Sequence, residues 1–393
     1  MDCRPLTTYS DLSPTRGRWR GVRELMTCSS PLKVAHVDTG LNLRGGQRQL
    51  LKLARGLRER GHGQIIICRE ESELEENARR EGFSCFSLPL HDLGHAHGIL
   101  QLRQLLRVTP CDIIHAHDGR GQTMAWLATM GMPARRVASR RVTFFPTLRW
   151  TYRLKYAYTC DAVIAVSDFI RERAICYGIP RSKIEVIPDG VEIPPELPTT
   201  EARAKARAQW GFALSDFLIG HLGAFTPEKG QDVALRAFQL LRERLPQARL
   251  LLAGEGPTLR DPEIIQRCEA LGNRVRVSGA IQELADFFSA LDLYVMPSKS
   301  EGLGSSALMA MSYGLPVVAS RVGGLKEVVE EDRTGWLIEP ASPAALAQAI
   351  LAAAGDRTRL RQWGLNGRER ARQFSVDIMV ERTEALYYRL LLG

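Results

Sequence analysis

From residue 32 onward, short apolar runs of strand length alternate with amphipathic runs of helical spacing, and the alternation happens twice. The first series has strand-like runs at 32–37, 64–68, 83–88, 112–116, 136–139, 162–166 and 183–187. Between them lie stretches such as Gln49-Leu-Leu-Lys-Leu-Ala-Arg-Gly-Leu-Arg, whose apolar residues share one helical face and which stops at Gly61. Strand and helix in alternation indicate a parallel, doubly wound α/β sheet. A turn-rich break with Pro188, Pro194, Pro195 and Pro198 interrupts the series, as inter-domain linkers do. After a basic helical run at 201–210 the pattern restarts, with strand-like runs near 217, 249–253, 275–278, 293–297, 316–320 and 335–338 and helical runs at 232–244, 344–354 and 376–392. The expected architecture is α/β, with two tandem Rossmann-like domains and a cleft between them. The segments are an extension at 1–31, a first domain at 32–190, a linker and leading helix at 191–215, a second domain at 216–370 and a closing segment at 371–393.

At 393 residues the chain can fill two full cores, and 45% apolar with 25% charged residues is ordinary for a globular protein. No apolar run reaches the ~18 residues of a membrane span. Residues 1–31 carry Arg4, Arg16, Arg18, Arg20 and Arg23 without the apolar core of a secretory signal, and read as a poorly ordered extension. Eight cysteines without CxxC pairs indicate reduced thiols and a cytoplasmic setting, and imply no zinc site or disulfide framework. The net charge of +9 is lopsided: Lys+Arg minus Asp+Glu is 29 − 21 = +8 over residues 1–200 and 24 − 23 = +1 over 201–393. The first half therefore faces an anionic substrate or a phospholipid surface, or is merely an arginine-rich solvated surface. Nucleic acid is disfavoured, because no recognition motif accompanies the charge.

Several motifs stand at strand ends, where ligands of open α/β sheets lie. Gly40-Leu-Asn-Leu-Arg-Gly45-Gly46 follows the first strand, and paired glycines let a backbone approach a phosphate or simply let a helix pack. Ile113-Ile-His115-Ala-His117-Asp118 puts two imidazoles on one strand face, suited to acid/base work, to a sugar hydroxyl, or to a structural hydrogen bond. His91, His95 and His97 read as a solvated loop and not as a metal site. Arg140, Arg141, Arg149, Arg153 and Lys155 mingle with Phe144, Phe145, Trp150, Tyr152, Tyr156 and Tyr158, a mixture fitting a membrane surface or an ordinary amphipathic helix. In the second half, Gly223-Ala-Phe-Thr-Pro-Glu-Lys229-Gly230 opens a helix with a lysine able to neutralise a leaving diphosphate. The turn at Gly254-Glu255-Gly256 ends another strand.

The stretch from Pro297 to Ala319 sets Glu301, Gly302 and Gly304 at a helix start, where free N–H groups and the dipole favour an anion. Gly302-Leu-Gly-Ser-Ser-Ala307 also fits a dinucleotide fingerprint, with Ser320-Arg321 where a ribose partner would stand. Against that, three strands precede it in its domain, and four residues separate strand from first glycine.

Taken in order, these segments resemble glycosyltransferase family 4, the group 1 nucleotide-sugar glycosyltransferases of GT-B fold, over nearly all the chain after its extension. The carriers are Lys33–Cys68 with its Gly-Gly loop and LARGLRERGH helix, DIIHAHD at 112–118, the run 166–191, Gly223–Gly230, and EGLGSSALMAMSYGLPVVA at 301–319. The resemblance implies retaining transfer without a bound metal or other cofactor. It places Gly45 and Gly46 at the donor phosphate and His117 at the donor sugar, with Lys229 on the departing diphosphate. Glu301 would hold sugar hydroxyls, and Gly302, Leu303 and Gly304 would offer backbone N–H groups. The Gly254-Glu255 turn would lie on the donor side, and the C-terminal helix would pack back on the first domain.

Two positions depart from that pattern. Ala224 stands where the family carries arginine, and Met309 where a second glutamate binds the ribose. Eight helical residues span ~12 Å, so Met309 serves the nucleoside end and not the reacting sugar. Lys229, Arg44 or Arg48 could take over the lost phosphate contact. The expected function is transfer of a sugar from a nucleotide-diphosphate sugar to a lipid-linked or cell-surface glycan, with Arg140, Arg141 and Arg149 as acceptor-side candidates. The expected location is cytoplasmic or peripheral on the inner membrane face. The alternative is a catalytically weak nucleotide-sugar binding or scaffold protein of the same fold.

Overall fold

The computed structural model describes residues 30–90, 95–145, 147–281 and 283–392. The extension expected at 1–31 lies almost wholly outside them, as does His91.

Two all-parallel sheets form. The first joins β1 (Lys33–Val37), β2 (Gly63–Arg69), β3 (Ser84–Leu88), β4 (Ile113–Ala116), β5 (Arg135–Arg140), β6 (Ala162–Ala165) and β7 (Ile184–Val186), in the spatial order β3-β2-β1-β4-β5-β6-β7. The second joins β8 (Phe217–Leu222), β9 (Ala248–Ala253), β10 (Val275–Val277), β11 (Leu293–Met296), β12 (Val317–Ser320) and β13 (Gly335–Ile338), in the order β10-β9-β8-β11-β12-β13. Every strand expected from the alternation is present. The central strands are apolar because helices cover both sheet faces; β4, β6, β11 and β12 are buried throughout. In each sheet the order reverses between the first and fourth strands, β1 with β4 and β8 with β11, and crevices for ligands open at such points. The two crevices are built from the loops after β1, β4, β8 and β11, which are the motif-bearing loops.

One helix is shorter than its pattern. Periodicity over 232–244 predicts one run, but the helix is Gln231–Leu240 and the chain turns at Leu241. The guanidinium of Arg274 takes the carbonyls of Arg242 and Leu245 at 2.9 Å each, which satisfies acceptors that a longer helix would have paired.

The chain crosses between domains twice, and the crossings pair with each other. Val191 N–H donates to Phe374 O at 2.8 Å, and Val376 N–H donates to Val191 O at 3.1 Å. A Cβ on Gly190 would meet Val376 Cα at 2.7 Å, so only glycine fits the crossing. The helix Thr200–Trp210 packs on Leu284–Ala290 of the second domain. Its buried Arg207 donates to the carbonyls of Ala290, Ala213, Leu214 and Asp216 and pairs with Asp292 at 2.6 Å. The last helix, Val376–Leu392, returns to the first domain against Gly45–Glu59 and sets Tyr387 OH 2.7 Å from His115 Nδ1.

Candidate active site

After β1 the chain runs through Asp38, whose carboxylate accepts from Gly40 N–H at 2.9 Å and Gln47 Nε2 at 2.8 Å. That brace shapes the loop leading to Gly45 and Gly46. A Cβ on Gly45 would stand in open space and one on Gly46 would lie 3.9 Å from Arg141 Cδ, so neither is glycine because of crowding. Burial, then the neighbouring Asp118 carboxylate, pushes the Asp38 carboxyl up to about 6. Asp118 itself caps the helix Gly119–Ala128 through Gly121 N–H at 2.6 Å and accepts from Thr39 N–H at 3.1 Å.

At the end of β4, His115 and His117 share one face as their spacing requires, with ring centroids 4.1 Å apart. His117 Nδ1 lies 3.3 Å from Arg141 Nη1, and its Nε2 lies 3.1 Å from His36 Nδ1. Both ring nitrogens thus have partners within the protein. Burial first, then the histidine and arginine charges around it, holds His117 well below its ordinary value, so the ring is neutral near pH 7. Arg141 also donates through Nε to Asp189 at 2.8 Å.

In the second domain, Lys229 Nζ donates to Glu301 Oε2 at 2.7 Å, joining the loops after β8 and β11. Both side chains are largely covered, at 23% and 12% exposed. Glycines surround Glu301 by necessity. A Cβ on Gly323 would fall 1.8 Å from the Glu301 carbonyl oxygen, and one on Gly324 2.4 Å from that of Gly302. Gly304 adopts φ 100° and starts the helix Ser305–Ser312. Leu303 is buried, while Met309 is half-buried and packs against the core. Ala224 gives its carbonyl to Gln231 Nε2 at 2.9 Å. The turn Gly254-Glu255-Gly256 locks onto it: Phe225 N–H donates to Glu255 O at 2.8 Å, and a Cβ on Gly254 would sit 2.0 Å from Gly223 O. Beside this turn opens a cleft of about 470 Å³ lined by Glu255, Gly256, Pro257, Leu259 and Arg260.

The two half-sites meet. A Cβ on Gly302 would lie 2.2 Å from the Arg141 carbonyl oxygen. Ser167 Oγ donates to Gly302 O at 2.6 Å, and Ser300 Oγ lies 2.8 Å from Thr143 Oγ1. The fold therefore gathers Gly46, His117, Arg141, Lys229, Glu301 and Gly302 at one inter-domain cleft. Arg140 and Arg149 stand elsewhere: Arg140 lies over the rings of Phe145 and Tyr152, and Arg149 over Tyr177. The chain around them exposes Phe144 (74%), Trp150 (61%) and Tyr158 (62%). Its helix, Arg149–Arg153, widens into a π-helical turn at Leu154–Tyr158 rather than running on as a plain amphipathic helix. His97 Nε2 pairs with Gln101 Nε2 at 2.9 Å within its helix. Arg321, the ribose-partner candidate of the dinucleotide pattern, bonds Leu337 O at 3.1 Å and pairs with Glu331.

Sequence reasoning missed His36, Gln64, Asp189 and Glu327 as site-shaping residues. The pairing of β1 with β4, which sets His36 opposite His115, is the one signal that points to His36. The others come from segments distant in sequence.

Such a pair of crevices, closed on each other with a lysine–glutamate pair in the second, makes a two-domain fold suited to group transfer. Matches with known proteins agree. The model "Glycosyl transferases group 1" fits residues 216–356, and "Glycosyltransferase Family 4" fits residues 43–193. A D-inositol 3-phosphate glycosyltransferase of Streptomyces avermitilis is 29% identical over 332 residues, covering 78% of this chain and 71% of the relative. A GDP-mannose-dependent alpha-(1-6)-phosphatidylinositol monomannoside mannosyltransferase of Mycolicibacterium smegmatis is 31% identical over 266 residues, covering 62% and 68%. Among solved structures, Anabaena HepE in complex with UDP superposes with TM-score 0.81 at 22% identity, covering 91% of this chain and 100% of that one. WaaG, a glycosyltransferase involved in lipopolysaccharide biosynthesis, superposes with TM-score 0.70 at 18% identity, covering 90% and 98%. The chain belongs to the group 1, family 4 glycosyltransferases and has their GT-B fold.

Proposed function

We propose that this glycosyltransferase transfers a sugar, with retention, from a nucleotide-diphosphate sugar to an anionic, lipid-linked or cell-surface glycan. The observation that carries this reading is the Lys229–Glu301 pair at 2.7 Å, set against Gly302 and the Arg141 edge of the other domain. Lys229 and the N–H groups of the Gly302–Gly304 loop meet the charge of the departing diphosphate, so no bound metal is required. Glu301 holds sugar hydroxyls beside them. The acceptor attacks from the face the leaving phosphate occupies, and domain closure excludes water. The cleft at Glu255–Arg260 is of nucleoside size.

The acceptor class rests on different observations. Exposed Phe144, Trp150 and Tyr158 lie among Arg140, Arg149, Arg153 and Lys155, an aromatic and basic surface suited to the inner face of an anionic membrane. The two relatives above are named for inositol 3-phosphate and for a phosphatidylinositol mannoside. Among the described residues no helix is long and apolar enough to cross a membrane.

A panel of nucleotide-sugars in a thermal-shift assay identifies the donor, and turnover follows with a membrane-lipid extract. Glu301→Ala is expected to lose transfer and donor hydrolysis by at least about a hundredfold with its fold intact. Full activity in that variant refutes the site. Ala224 and Met309 favour a second reading, a binding protein of the same fold; donor binding by the native chain with neither transfer nor hydrolysis would establish it.

A further inference from the structure

His36, His115 and His117 are buried at the centre of the first sheet, with ring nitrogens within 4.8 Å of one another. Three clustered imidazoles invite a metal reading. Hydrogen-bond polarity gives another. The carbonyl of Gly63 can only accept, so Gln64 donates to it through Nε2 at 3.0 Å and turns Oε1 toward His36 Nε2 at 2.8 Å. His36 therefore carries its proton on Nε2 and leaves Nδ1 bare. That bare nitrogen accepts from His117 Nε2–H at 3.1 Å, which leaves His117 Nδ1 bare in turn. Arg141 Nη1, which can only donate, lies 3.3 Å from it. Read from the arginine end, the chain has the same polarity. Both ends force one tautomer on each ring. His115 stands outside the chain, with its nitrogens on Tyr387 OH at 2.7 Å and Ser139 Oγ at 2.8 Å. A metal would have to displace partners that every one of these nitrogens already has.

We propose that His36 is a positioning residue for glycosyl transfer: with Gln64 it locks His117 as the neutral Nε2–H tautomer, whose bare Nδ1 fixes the guanidinium of Arg141 in the inter-domain cleft. The proposal rests on the cleft being the transfer site. Arg141 stands at a contact between the two domains, its carbonyl against Gly302 and its side chain beside Gly46. Asp189 alone would anchor Nε but leave the guanidinium plane free to turn. A second anchor on a neutral imidazole fixes that plane without cancelling more charge. Of the five N–H groups a guanidinium offers, these contacts use Nε and one on Nη1. Among the described residues the remaining N–H groups have no partner, which leaves them to a phosphate or a sugar oxygen, in a domain pair where Ala224 stands at the position the family resemblance gives to arginine. Burial, which holds His36 down at about 4, keeps the chain of imidazoles neutral in working conditions.

Imidazole nitrogen NMR shifts of the histidine-labelled full chain test this, with His117→Gln for assignment and His36→Asn and His36→Leu as probes. In the native chain His36 and His117 should both show a protonated Nε2 and a bare Nδ1 near neutral pH. Asn at 36 keeps an acceptor where Nδ1 stood, so that variant should hold the His117 tautomer and turn over within about threefold of native, whereas Leu should release the tautomer and cost kcat at least about tenfold. The proposal is overturned by a native His117 protonated on Nδ1. Unchanged His117 shifts and kcat in His36→Leu, or one equivalent of zinc bound by the native chain and lost in that variant, overturn it as well. If His36→Leu fails to fold, the native tautomer and His36→Asn still decide. The tautomer is read without substrate, so a wrong donor or acceptor assignment leaves this result standing by itself.

Discussion

Lys229 and Glu301 serve as each other's counter-ion across two loops, so a bound diphosphate would compete with the carboxylate for the ammonium. Under the proposed function, that competition would tie phosphate binding to the freedom of Glu301 to turn toward a sugar. Met309, eight residues further along, is a different kind of departure. It is half-buried against the core and presents a thioether where the family resemblance leads one to expect a carboxylate. A glutamate restored there can accept from ribose hydroxyls, and a charged hydrogen bond contributes about 1.5–3 kcal/mol. Met309→Glu is therefore expected to lower the donor KM about tenfold with kcat nearly unchanged. A donor KM that stays the same or rises would place the ribose elsewhere.

Among the elements, the helix Asp168–Cys176 carries the clearest link between domains. Ser167 caps it through Ile170 N–H at 3.2 Å and reaches across to Gly302 O. Its two remaining exposed donors, Asp168 N–H and Phe169 N–H, are capped by Glu327 of the second domain at 2.9 and 2.8 Å. A helix start in one domain is thus completed by a carboxylate from the other, beside the Gly302–Gly304 loop. Glu327→Ala should cost about 1–2 kcal/mol in denaturant unfolding. Small-angle scattering of the same variant should show a wider domain separation. Native stability together with an unchanged scattering profile would mean that other contacts hold the cleft.

At the scale of the whole molecule, buried ionisable groups set the response to acid. Burial holds His36 and His221 at about 4, and His115 and His117 well below their ordinary 6.5. These four take up protons on unfolding, so their contribution is present above pH 6.5 and fades as pH falls toward 4. Two carboxyls work the other way. Burial raises Asp38 from 3.8 to about 6 and Glu327 from 4.5 to about 7, so both favour the folded state at low pH and lose that contribution as pH rises through those values. The four histidines outnumber the two carboxyls, so unfolding takes up protons on balance and stability falls as pH falls. Thermal unfolding followed through this range should show stability falling steeply as pH drops from 6.5 toward 4.5. A flat profile would mean that these histidines are not held neutral.

Much of the fold is written in local pattern. Each strand-and-helix pair reports itself through apolar runs and periodicity, and Pro188 to Pro198 mark the break between sheets, because these signals reside within about ten residues of chain. The loops of Gly45, His117, Lys229 and Glu301 were legible for the same reason: strand ends followed by glycine declare themselves locally. What escaped depended on distance. Whether Arg140 or Arg141 enters the cleft, whether the ring nitrogens of His117 are free, and which carboxylate caps the helix at Asp168 all depend on partners far along the chain, His36, Asp189 and Glu327 among them. Sequence alone determined two parallel sheets and the loops that face their crevices, because hydrophobic burial and turn chemistry act locally. Only the tertiary structure decided the protonation, orientation and pairing of the side chains in the cleft, because hydrogen-bond polarity and desolvation are set by whatever the fold packs against them.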